Sequence, residues 1–184
     1  MKKVLILSTL ALACFSGTAS AASGEIQFLG AVSSVTCDVD VVVGGSINKL
    51  IQLGTAPLNN EGAAVDFGLK AKGDYTVGSE GKPSTDCGAL GTDDTVNITF
   101  AGNLDEQGLK NTAGSATGAY VKITAKNDKD SNTDPVVMGK NTRLFSGDKF
   151  NSATAVGAEF QATLVGGTIA GDFQSVTAFA VAYK

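Results

Sequence analysis

Residues 120–125 read Tyr-Val-Lys-Ile-Thr-Ala, apolar and polar side chains alternating with period two. That period belongs to a half-buried β-strand, whose successive side chains point to opposite faces. Working outward, the same alternation, with β-branched and aromatic enrichment, recurs at Glu25 to Val32, Val35 to Val43, Ile47 to Leu53, Val65 to Leu69, Val96 to Phe100, Glu159 to Val165 and Val176 to Tyr183. Turn-rich pieces separate them: Gly44-Gly45, Leu58 to Gly62, Gly78 to Asp86, Gly102 to Gly118, Asn127 to Asp134 and Gly166 to Asp172. No long 3.6-residue pattern competes, and there is neither an internal repeat nor a disordered linker. Short strands at this spacing predict an all-β, antiparallel sandwich of the immunoglobulin type. Gly78 to Asp86 and Gly102 to Gly118 are its expected exposed loops.

Composition fits that reading and excludes much else. The 184 residues include 23 Gly and only 3 Pro; 43% are hydrophobic and 17% charged, enough apolar content for one core joined by glycine turns. Histidine and tryptophan are absent, and Arg143 is the sole arginine. Without histidine there is no Ser-His-Asp or Cys-His pair, no imidazole base and no His-ligated metal, so we expect no enzyme, no cofactor and no metal site. The net charge is −4, without clustered cations to grip a phosphate backbone, so nucleic acid is not an expected partner.

Met1-Lys2-Lys3, the mainly apolar run from Val4 to Phe15, and Gly17-Thr18-Ala19-Ser20-Ala21 have the three parts of a signal peptide, cut after Ala21 or Ala22. As a retained helical anchor the apolar run would rise only about 18 Å against a hydrocarbon core of about 30 Å, so membrane insertion is not expected. A lipoprotein reading of Cys14 would need a branched apolar residue where Ala11 stands. Removal of the leader leaves about 160 residues, one ordinary domain. Cys37 and Cys87 then remain in an exported chain with no third thiol, which predicts one disulfide; closing a loop of about 50 residues stabilises by roughly 4 kcal/mol in the chain-entropy picture.

Other candidates for chemistry have plainer readings. Asp128-Lys129-Asp130-Ser131-Asn132 starts like a calcium loop, but Thr133 replaces the required glycine and Gly139 the closing Glu, leaving a solvated turn. Asp93-Asp94 and Asp105-Glu106 are adjacent acids, which on a strand face opposite ways rather than forming a glycosidase pair. Asn97-Ile98-Thr99 spells a glycosylation sequon inside a predicted strand. No serine elbow or phosphate loop is present.

The two ends stand out. Gly24-Glu25-Ile26-Gln27-Phe28-Leu29-Gly30-Ala31-Val32 places Ile26, Phe28, Gly30 and Val32 on one face; at the other end, after a phase shift at Thr177-Ala178, Phe179, Val181 and Tyr183 share one. By periodicity alone these are also the first and last strands of an ordinary sandwich. The opening resembles that of the pilins of chaperone-usher fimbriae, a Gly-x-Val-x-Phe-x-Gly-x-Val segment with Ile26 at the first valine and a cysteine, Cys37, following. Ile51-Gln52-Leu53-Gly54, the partner Cys87, Phe160-Gln161-Ala162, the late Gly171 and the closing Phe179-x-Val181-x-Tyr183 extend the similarity over nearly the whole mature chain. Two departures are a short lead of Ala22-Ser23 before Gly24 and a Cys37-to-Cys87 spacing longer than in type 1 major subunits, which suggests an insertion around Gly73 to Ser84.

The resemblance implies a signal peptide at 1–21, a donor-strand extension at 22–33 and a pilin domain at 34–184. The domain would be an incomplete immunoglobulin-like sandwich completed by a strand from a neighbouring subunit, with Ile26, Phe28, Gly30 and Val32 as the donated face. Gly171, Phe179, Val181 and Tyr183 would belong to the acceptor groove and the chaperone-docking strand. Implied partners are identical subunits, a periplasmic pilus chaperone, an outer-membrane usher and a minor tip adhesin. The implied function is a structural subunit of an extracellular adhesive fimbria on the bacterial surface, polymerising head to tail. The alternative is a major subunit that itself binds host glycans through its exposed loops.

Overall fold

The structure, a computed structural model, describes residues 37–72, 87–151 and 155–184. The leader, the extension with Ile26, Phe28, Gly30 and Val32, and the predicted loop Gly78 to Asp86 lie outside them. Among the described residues nine strands form in chain order: β1 Val39–Val43, β2 Ser46–Ile47, β3 Glu61–Ala71, β4 Thr95–Gly102, β5 Leu109–Lys110, β6 Tyr120–Ala125, β7 Thr142–Ser146, β8 Ala158–Val165 and β9 Thr177–Tyr183. They pair, antiparallel throughout, into a six-stranded sheet ordered β2-β1-β3-β8-β6-β5 and a three-stranded sheet ordered β7-β4-β9. The all-β sandwich expected from the alternation is what forms, and it is lopsided. At about 4.8 Å per strand, the smaller sheet is roughly 14 Å narrower than the one it covers.

The core shows why the alternation is read so faithfully. In β4 Val96, Ile98 and Phe100 are buried, and in β6 Val121, Ile123 and Ala125 are, with half-buried neighbours between them. Phe160 of β8 sits at the centre. Its ring stacks on Phe67 of the same sheet at 5.3 Å and meets the edges of Phe100 and Phe145, across the sandwich, at 5.2 and 5.3 Å. Each buried ring contributes about 1.5–3 kcal/mol by area, and each aromatic pair about 0.5–1.5 kcal/mol more.

Cys37, just before β1, is bonded to Cys87 in the 3-10 turn Cys87–Ala89, with Cα atoms 4.8 Å apart. The expected disulfide is therefore present, and both cysteines are buried.

Several expectations change. The predicted strand Ile47 to Leu53 keeps its alternation, Ile51 and Leu53 half-buried against the core and Gln52 and Gly54 exposed, yet only Ser46–Ile47 joins a ladder. Val176 lies before β9 and is 75% exposed. The loop Gly102 to Gly118 contains β5, and β7 was not anticipated at all. The solvated turn at Asp128 is instead built around a buried carboxylate. Asp128 Oδ1 accepts from the amides of Asp130 and Asn132, and Oδ2 from that of Leu144. Both oxygens are thus committed to backbone.

Candidate functional site

The missing width of the smaller sheet becomes a groove of about 1070 Å³. Its floor is the inner face of the six-stranded sheet: Phe67 and Leu69 of β3, Val121 and Ile123 of β6, Ala162 and Leu164 of β8. All six are buried, so the groove is a deep cleft rather than an open patch. Around its mouth Leu50, Leu58, Ile169 and Val176 are between 47% and 75% exposed. Large apolar side chains left exposed around one groove are the mark of a surface that a partner covers.

One wall is β9. It pairs with β4 along its whole length, from Thr177↔Gly102 to Tyr183↔Val96. The register places Phe179, Val181 and Tyr183 opposite buried Phe100, Ile98 and Val96, hence on the inward face. Among the described residues nothing pairs with the other edge of β9. The opposite wall is residues 49–56, where Ile51, Leu53 and Ala56 pack on the core. Among the described residues no backbone hydrogen bond joins 51–56 to any strand. Among the described residues, then, the free side of β9 up to Ala182 and residues 51–56 have no strand partner, and both border the same apolar floor.

The sequence-predicted residues divide between two ends of this groove. Phe179 and Gly171 line it. Val181 and Tyr183 continue the same face of β9 beyond the lining, toward the disulfide, where the Tyr183 hydroxyl donates to the carbonyl oxygen of Cys37. Gly171 marks a close approach: a Cβ there would lie 2.4 Å from Ser115 Oγ and 2.6 Å from the Ala116 nitrogen. Ile26, Phe28, Gly30 and Val32 lie outside the described residues.

Asn111 was missed by the sequence reading. Its Nδ2 donates to the carbonyls of Gly114, Ala116 and Asp172, and its Oδ1 accepts from the amides of Gly114 and Gln174. One side chain thereby locks the 111–116 loop to the segment that leads into β9. An asparagine between turn residues was the available signal, since Asn commonly bonds nearby backbone.

Arg143 was noticed only as the sole arginine. It points inward from β7, 2% exposed, and donates to the carbonyls of Asp134, Pro135, Lys140 and Thr142. Burial holds its guanidinium below its ordinary pKa, with Asp128 and Asp134 pulling the other way. The cleft beside it, about 270 Å³ between Asn132 and Arg143, is small and hydrogen-bonded to itself. Among the described residues there is no cluster of three or more metal-ligating side chains, and no helix long and apolar enough to cross a membrane.

No family model matches the chain. It is 36% identical to the F107 fimbrial protein of Escherichia coli over the full length of both, and 31% identical to the K99 fimbrial protein of Escherichia coli over all of this chain and 99% of that one. Against a type-1 fimbrial protein subunit of Serratia marcescens it is 30% identical over 70% of this chain and 69% of the other. A full-length similarity to fimbrial proteins accords with the all-β sandwich and the Cys37–Cys87 disulfide; the chain belongs to the family of fimbrial major subunits, structural proteins of surface fibres and not enzymes.

Proposed function

We propose that the groove is the acceptor for a strand given by the next subunit, so that copies polymerise head to tail by strand exchange. A periplasmic chaperone would occupy the groove first, and an outer-membrane usher would oversee the exchange. The observation that carries this reading is the pair of backbone edges without a strand partner among the described residues, β9 up to Ala182 and residues 51–56, bordering one apolar cleft. A strand laid between them meets both edges with main-chain hydrogen bonds and buries its alternate side chains on the floor, the mode known from chaperone–pilin complexes.

The segment supplied is residues 22–33 of the neighbour. Burying Ile26, Phe28 and Val32 at about 1.5–3 kcal/mol each gives roughly 5–9 kcal/mol before the cost of association. Gly30 suits a point where another backbone crowds close. Extension-in-groove is a heterologous contact that does not close on itself, so it builds an open fibre. Such a fibre supports adhesion to cells, with a minor tip subunit as the receptor-binding part.

The test is Phe28→Asp, alongside deletion of residues 22–30. Both variants should accumulate as chaperone-bound monomer and contribute nothing to fibres. Fibres of normal length from either variant would reject the assignment.

A further inference from the structure

The outer faces of the two sheets differ in charge. The six-stranded sheet presents Asp40, Asp66, Lys70, Lys122 and Glu159 between its buried positions, with Lys126 bonded to Asp66 at 2.7 Å and Lys122 to Glu61. The three-stranded sheet presents none. Alternation with buried Val96, Ile98, Phe100, Arg143 and Phe145 fixes which of its positions look outward, and every one on β4, β7 and β9 is Ala, Thr, Ser, Asn or Leu. None of these outward residues is buried. At the Thr95 end charge comes close, where Lys129 is held by Thr95 Oγ1 and Lys184 continues β9.

This face is cheap to dehydrate. Thr99 and Thr142, facing each other across β4 and β7, bond through their hydroxyls at 2.9 Å. The side-chain oxygen of Asn97 is the exception: it is shielded from solvent and has no hydrogen-bond partner among the described residues. Ala180 and Ala182 beside it leave the sheet nearly flat, which allows another sheet to come within about 10 Å or closer.

The charge balance says what that neighbour is. Without the leader's Lys2 and Lys3 the net charge of −4 becomes −6, and such chains repel one another over a screening length of about 8–10 Å, so copies held together in a fibre meet most easily where neither carries a charge. A basic or acidic foreign partner would be recognised by ionic groups, which this face lacks. Polymerisation supplies the high local concentration that a weak, flat contact needs. We propose that the outward face of β7-β4-β9 is a lateral contact surface on which a second copy of this chain lies within the fibre, separate from the strand-exchange groove.

The test places a photo-crosslinking amino acid at Thr99, at Thr142 as an independent second position, and at Gln161 on the charged sheet as reference, in fibres isolated from cells. Illumination should give covalent pairs of subunits from Thr99 and Thr142, severalfold more than from Gln161. Thr99→Glu should leave head-to-tail polymers intact while abolishing the pairs formed from Thr142. Equal yields at the three positions, adducts to a different protein, or no adduct from a subunit that has entered the fibre would each overturn the proposal. Failure of strand exchange shows separately: the extension-deleted subunit would then still polymerise, whatever the crosslinks show.

Discussion

The two walls of the groove have similar apolar inward faces and opposite kinds of support. β9 is held by a ladder to β4 over its whole length and by the Tyr183–Cys37 hydrogen bond. Residues 51–56 have, among the described residues, only the packing of Ile51, Leu53 and Ala56 to hold them. One wall is a laddered strand whose other side, up to Ala182, has no strand partner among the described residues; the other is an apolar lip whose backbone, on the proposed function, gains partners when a strand arrives. Side-chain alternation places a segment against a core, but only a neighbouring backbone makes it part of a sheet.

If β9 is the template, its loss should have the largest effect. Truncation of Phe179 to Lys184 removes most of the wall, the partners of Val96, Ile98 and Phe100, and the clasp to Cys37. The expected outcome is no chaperone capture and degradation of the subunit, seen as absence of the chain from periplasmic extracts; persistent soluble monomer would contradict it. Next in size is Cys37→Ser. The carbonyl that receives Tyr183 stays, so the substitution isolates the covalent link, and stability should fall by about 4 kcal/mol. Urea unfolding of the chaperone-free subunit measures it, and an unchanged midpoint would show that the disulfide does not form in solution.

Leu53→Ala probes the other wall. Leu53 is half-buried, so its truncation should cost about 1–2 kcal/mol, less than a fully buried leucine. The cost should be greater after a peptide of residues 22–33 is added, because an inserted strand seals the lip against the core. Equal costs in the empty and filled states would mean that 51–56 takes no part in receiving a strand.

These differences also mark what the sequence could and could not disclose. β4, β6 and β8 were legible because their alternate positions are uniformly apolar, and their observed ends fall within two residues of expectation. β7 was hidden because one of its inward positions is Arg143, buried by four backbone carbonyls rather than by apolar neighbours. β5 is two residues long, too short for any period to register. Ile51 and Leu53 gave a true signal of facing and a false one of pairing. Asp128 was read as solvated because nothing in its own neighbourhood reveals that the amide of Leu144, far along the chain, meets it. The groove itself could be reached only through the resemblance, since a missing strand leaves no residues to read.

The smallest expected effect separates the walls most sharply. Tyr183→Phe removes one hydroxyl from the inward face of β9 and leaves the ring packed on the core. Its donor bond to the Cys37 carbonyl contributes about 1 kcal/mol, and the loss should appear as a lowered urea midpoint with unchanged slope. Because Tyr183 and Cys37 both belong to the receiving subunit, at the disulfide end beyond the groove lining, this cost should be the same with the groove empty or filled. Leu53→Ala should behave in the opposite way. Measured as a pair of two-by-two cycles, variant against strand peptide, the coupling should be near zero for Tyr183 and clearly positive for Leu53. A coupling of equal size at both residues would mean that β9, too, is completed only on strand insertion, and the distinction between template and lip would fall.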